Sequence, residues 1–114
     1  MAVVSTHVLN GATGTHEPGV RLVLKSLVDD AILFDSQTDL SGRLVQQIDI
    51  SGADPHTEYE LCFYTAPLWD HVATTITAKA IAFRFVMPVA TARYHIPLIA
   101  SPNSYACWLS RPED

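Results

Sequence analysis

At 114 residues, 48% of them apolar and only 17% charged, the chain is long enough to bury one core without metal or disulfide staples and too apolar for intrinsic disorder. Its formal charge of −5 and its seven scattered Lys and Arg residues argue against nucleic acid as a partner. No apolar run reaches the length of a bilayer crossing and the N-terminus lacks a basic-then-apolar export signal, so a single domain over residues 1–114 is expected, in the cytoplasm and without membrane contact.

Alternation of apolar and polar residues between Gly-, Pro- and Asp-rich breaks predicts eight short strands, the pattern of an antiparallel sandwich or barrel. The first runs from Val3 to Leu9 and is closed by Asn10-Gly11-Ala12-Thr13-Gly14. The second, Val20 to Leu27, places Val20, Leu22, Leu24 and Ser26 on one face. Asp29-Asp30 then leads tightly into Ala31 to Phe34. A polar link precedes the fourth strand, Arg43 to Ile50, and Glu58 to Tyr64 forms the fifth. Ala66 to Thr77 differs. Pro67 suits a helix N-terminus and Leu68, Val72 and Ile76 recur every four residues, which predicts a short amphipathic helix despite the weak helix formers Thr74 and Thr75. Strands resume at Lys79 to Met87, Arg93 to Ile99 and Ser104 to Leu109. Cys62 and Cys107 lie in apolar strand contexts and read as reduced, buried thiols.

The chemistry-bearing residues are histidines inside strands. His7 shares a strand face with Ser5 and Leu9, and His95 shares one with Arg93 and Pro97, so both imidazoles are able to point away from the core. His16, His56 and His71 fall in loop or helix contexts and are expected to face solvent. No His-x-His, Cys-x-x-Cys or His-Glu-x-x-His spacing points to a metal, and no Gly-rich phosphate loop or Gly-x-Ser-x-Gly elbow points to a nucleotide or a serine nucleophile. No metal or cofactor is expected. In an enzyme with this inventory, histidine acts as general acid or base, arginine holds negative charge and water is the nucleophile.

Four segments carry a family resemblance: Ser5-Thr6-His7-Val8-Leu9-Asn10, Gly19-Val20, Ser41-Gly42-Arg43 and Tyr94-His95-Ile96-Pro97-Leu98-Ile99-Ala100-Ser101-Pro102. In this order and spacing the chain resembles the transthyretin-related 5-hydroxyisourate hydrolases along essentially its whole length. The resemblance implies an all-β, transthyretin-like fold, an eight-stranded two-sheet sandwich with one short helix. It also implies a homotetramer built as a dimer of dimers, with a small-molecule substrate bound in the channel between dimers. Such an assembly would account for the apolar excess. The implied reaction opens the six-membered ring of 5-hydroxyisourate, or of a close relative, by attack of water. Carried over residue by residue, the catalytic groups are His7, Arg43 and His95, and either histidine is open as the base.

The C-terminus departs from that pattern. Where the family typically ends in Tyr-Arg-Gly-Ser, an ungapped match puts Trp108, Leu109, Ser110 and Arg111, the candidate substrate-binding residues, and Pro112-Glu113-Asp114 displaces the final carboxylate. A shift of one or two residues would let Ser110 and Arg111 supply a hydroxyl and a guanidinium in reversed order, against the constraint of Pro112. Three readings stay open: a 5-hydroxyisourate hydrolase with a rearranged terminus, a paralogue whose Trp108 and Leu109 admit a larger or more apolar cyclic substrate, and a non-catalytic binder of small ligands in the channel.

Overall fold

The computed structural model describes residues 1–113, so Asp114 and the displaced carboxylate expected there lie outside the described residues. Nine strands follow in chain order: β1 (Ala2–Asn10), β2 (Arg21–Ser26), β3 (Ile32–Gln37), β4 (Arg43–Ile48), β5 (Glu58–Phe63), β6 (Ile81–Val86), β7 (Arg93–His95), β8 (Leu98–Ser101) and β9 (Ser104–Cys107). One sheet has the order β3-β2-β5-β6; the other has β4-β1-β8-β9, with β7 also paired to β1. This is the expected all-β, two-sheet sandwich.

The eight expected strands become nine because proline interrupts one of them. Pro97 carries no N–H to donate, so the expected strand over Arg93 to Ile99 divides into β7 and β8 around Ile96-Pro97. The register is unbroken across the gap: β1 pairs in parallel with both pieces, Ser5 opposite His95 and Val8 opposite Leu98. The buried Thr6 hydroxyl donates to the Ile96 carbonyl at 2.5 Å, satisfying an acceptor beside the missing donor.

Period-two alternation in β1 decides what faces inward. Ala2, Val4, Thr6, Val8 and Asn10 are buried, whereas Val3, Ser5, His7 and Leu9 are half-buried on the outer face. The inner residues meet Leu22 and Leu24 of β2, Tyr59, Leu61 and Phe63 of β5, and Tyr94, Ile96 and Leu98, all in one core cluster. Tyr94 is fully buried, and its hydroxyl donates to the Val89 carbonyl and accepts from the Val89 N–H.

The expected helix is much shorter than Ala66 to Thr77. Only Ala66–Trp69 forms a single 3₁₀ turn, with Pro67 at its start and Trp69 buried beneath it. Leu68, Val72 and Ile76 do pack against the core, as their spacing suggested, but on irregular backbone. Two physical causes are visible. The run Val72 to Thr77 is rich in β-branched residues, which lose side-chain freedom in a helix. The Asn103 side chain also takes the backbone of this segment, accepting from the Thr77 and Ala78 N–H groups and donating to the Thr75 carbonyl. Among the described residues no helix is long and apolar enough to cross a membrane.

One turn positions the outer face of β4. Gly42 adopts φ +76°, and a Cβ built there would lie 2.8 Å from the Val8 carbonyl oxygen and 3.0 Å from the Glu17 nitrogen. Gly14 has a similar φ of +78° but nothing within 4 Å of a built Cβ. Gly14→Ala should therefore cost only the roughly 1–2 kcal/mol of a left-handed non-glycine residue. Gly42→Ala should cost clearly more, because backbone must move. Urea unfolding of the two variants checks this, and equal losses would show that the close approach at Gly42 contributes nothing.

Candidate active site

The outer face of β1 is where the sheet brings distant residues together. β1 lies between β4 and β7, antiparallel to the first and parallel to the second. His7 therefore stands opposite Arg43, and Ser5 opposite His95. Opposite residues in neighbouring strands present side chains on the same face, so the three expected catalytic residues share one surface with Ser5 between them.

His95 is held by that serine. Its Nδ1 lies 2.8 Å from Ser5 Oγ, and the ring is half-buried. Burial lowers the His95 pKa from the ordinary 6.5, and the charges of His7 and Arg43 lower it further, while a hydrogen bond to the Ser5 backbone acts in the opposite direction. Either the Nδ1–H of the ring or the Ser5 hydroxyl can donate in the Oγ contact, and the tautomer that donates from Nδ1 leaves the Nε2 lone pair for a proton from water. At neutral pH this imidazole is a neutral base.

His7 and Arg43 are fixed by the β3–β4 turn. His7 Nε2 donates to the Ser41 carbonyl at 3.1 Å. The Asp39 carboxylate accepts from the backbone N–H of Arg43 and from both the N–H and the hydroxyl of Ser41. These bonds, the one from Arg43 foremost, hold the Asp39 carboxyl below the ordinary carboxylate range. The charged Asp39 thus shapes the turn that presents Arg43, without forming a side-chain ion pair with it.

The chain end completes the surroundings. Past β9 it crosses to the free edge of β7, where Arg93 and Glu113 exchange both backbone hydrogen bonds, at 2.6 and 3.1 Å. In a regular antiparallel ladder Arg111 would then bond opposite His95. Instead the Ser110 N–H donates to the His95 carbonyl at 2.9 Å, a shift of one residue. Such a bulge lets two consecutive residues address the same side of a sheet. Accordingly, Ser110 and Arg111 both line a cavity of about 330 Å³, together with Ser5, Arg93, His95 and Glu113.

Trp108 and Leu109 do not line this cavity. Leu109 is half-buried against the core, and Trp108 is 44% exposed. Ser5 and Arg93 were legible as face-mates of the two histidines, whereas nothing in the sequence signalled Glu113. His16, His56 and His71 are exposed, as expected. A second cavity, about 450 Å³, lies at the end of the other sheet, but its one charged group, Arg21, is already paired to Asp35 at 2.7 Å and stacked on Tyr64. Burial raises the thiol pKa of both free cysteines, Cys107 to about 11, so neither is a ready nucleophile at neutral pH.

Comparison with known proteins agrees with this architecture. A 5-hydroxyisourate hydrolase of Mus musculus is 30% identical over 109 residues, covering 92% of this chain and 92% of that protein. Among solved structures, the 5-hydroxyisourate hydrolase of Klebsiella pneumoniae has a TM-score of 0.76 at 22% identity, covering 97% of this chain and 100% of that one. Transthyretin from Sparus aurata has a TM-score of 0.78 at 20% identity, with 97% of each chain covered. The family model described as HIUase/Transthyretin family matches residues 4–109. The chain belongs to the HIUase/Transthyretin family.

Proposed function

We propose that this protein is a hydrolase that opens a cyclic amide or imide ring, with 5-hydroxyisourate as the first substrate to test. The observation that carries the reading is His95. It is a half-buried imidazole whose protonation is disfavoured by burial, its Nδ1 at 2.8 Å from Ser5 Oγ, on one face with His7 and Arg43. Family membership and the hydrolase relatives support the same reaction class.

In this reading His95 is the base. Its Nε2 takes a proton from water as the water oxygen bonds to the ring carbonyl carbon. The negative charge that develops on the carbonyl oxygen faces the Arg43 guanidinium, with His7 beside it. Collapse of the tetrahedral species breaks the ring C–N bond, and the proton held by His95 passes to the departing nitrogen. The products, within one opened molecule, are a carboxylic acid, which releases its proton to solvent, and an N–H group that is an amine from a cyclic amide and an amide from an imide. Ser110 and Arg111 hold the substrate from the tail side. The polar and charged lining of the cavity suits a polar heterocycle better than a larger apolar ring.

The same reading includes a homotetramer, a dimer of dimers. Around the site the outer face keeps Val3, Leu9 and Ile99 half-buried and leaves Val45 66% exposed, which favours coverage by another copy of the chain. Two free cysteines fit a reducing compartment, and cytoplasmic residence belongs to the proposal.

The test is the decay of freshly generated 5-hydroxyisourate followed by absorbance against its spontaneous rate. His95→Asn should lower kcat by about 10²–10⁴-fold, the usual worth of a positioned base. Arg43→Ala should act mainly through KM. A tetramer that gives no acceleration, or full activity in the His95 variant, would sink the reading.

The acid limb of the kcat/KM profile should lie below the ordinary histidine value of 6.5, because protonation of His95 stops the reaction and its surroundings resist that protonation. Arg43→Gln removes one of the charges that lower the pKa, so in that variant the limb should move upward. A limb that stays put would show that the titrating base is not His95.

A further inference from the structure

In an acidic chain, the basic residues that are not already committed gather at one place. Of the seven Lys and Arg residues, Arg21, Lys25 and Arg84 are in salt bridges with Asp35, Asp30 and Glu60. Among the described residues, the four outside any salt bridge are Arg43, Lys79, Arg93 and Arg111. Three of these four border the His95 site.

They border it from two sides. Across the outer face, Arg93 stands beside Val3, His95 beside Ser5, and Arg43 beside His7. Successive rows are two residues apart, about 7 Å at the usual strand rise. His95 therefore lies between a pole made by Arg43 and a second pole made by Arg93 and Arg111. A single oxyanion on the scissile carbonyl needs only the first. Arg93 and Arg111 line the cavity itself, whereas His7 and Arg43 lie outside its lining.

We propose that Arg93 and Arg111 form an anion subsite, and that the substrates of this enzyme are cyclic amides or imides carrying an acidic group outside the ring that opens. The inference rests on the hydrolase reading of the same site and narrows its substrate class. A carboxylate at the second pole receives charge-assisted, fork-shaped hydrogen bonds from two guanidinium groups, which fix the ring carbonyl over His95. Glu113 tunes the subsite. It lies directly across from Arg93 in a hydrogen-bonded pair and lines the same cavity, yet forms no salt bridge with Arg93 or Arg111. Its negative charge opposes an incoming anion and lowers affinity to a level compatible with release of an acidic product.

The test compares two stable probes with the same ring, orotate, which bears a carboxylate, and uracil, which does not. Calorimetric titration of the full-length protein should show orotate binding at least about tenfold tighter than uracil, the worth of one hydrogen bond between charged groups. The preference should shrink as salt is raised. Arg93→Gln should remove most of it while leaving uracil affinity unchanged, and Arg111→Gln should weaken orotate binding by a larger factor than uracil binding. Glu113→Gln should strengthen orotate binding several-fold. All three side chains are exposed and the tail is held by backbone atoms, so the variants retain the strand pairing. Equal affinity for the two probes, no binding of orotate, or a preference that survives the Arg93→Gln/Arg111→Gln double variant would overturn the subsite. An orotate preference without hydrolysis of 5-hydroxyisourate would remove the hydrolase reading and leave the subsite standing; hydrolysis without the preference would do the reverse.

Discussion

The parallel pairing of β1 with β7 and β8 is the constraint on which the rest depends. It sets Ser5 beside His95 across ninety positions of chain, and the antiparallel pairing of β1 with β4 sets His7 beside Arg43. Parallel neighbours cannot be joined by a hairpin, so the chain must first build the whole second sheet and return. The contact is then locked from within. Alternation in β1 buries Val4, Thr6 and Val8 on the side of Tyr94, Ile96 and Leu98, and a slip of β1 by one residue would bury Ser5 and His7 instead. The buried core thereby sets the geometry of the outer face.

That outer face works through opposed charges held at short range. Burial makes protonation of His95 unfavourable, and the second imidazole and the Arg43 guanidinium add to the effect. The anions nearby are directed elsewhere: Asp39 spends its acceptors on the backbone and hydroxyl of the β3–β4 turn, and Glu113 is anchored through its main chain to Arg93. A protein of net charge −5 can therefore present a cationic surface at one site. The local arrangement of partners, not the total charge, determines which ligand is favoured.

The altered terminus shows how a short segment changes sense with its backbone. On a regular strand, residues 108 to 111 would alternate between faces, and Leu109 would stand in a position where a charged group is expected. The one-residue shift at Ser110 turns Leu109 toward the core and brings both Ser110 and Arg111 to the cavity. Pro112 does not prevent this, since the two residues that bond across the edge are Ser110 and Glu113 and proline has no N–H to lose.

Much of the fold was legible in the residues. The strands follow from alternation, the outward placement of His7 and His95 follows from their neighbours, and Pro97 divides the expected seventh strand in two. The segment 66–77 misled, because four-residue spacing of Leu68, Val72 and Ile76 describes which side is buried and not which backbone buries it. The family resemblance brought His7, Arg43 and His95 into one site; periodicity alone did not. By itself the sequence determined the faces of the strands and the type of chemistry available, because both depend on local order and residue identity. Only the tertiary structure decided that Ser5 anchors His95, that the tail reaches the cavity out of register, and that Arg93 and Arg111 meet there, because each of these is a pairing between strands far apart in the chain, and pairings are chosen by the packing of the whole core.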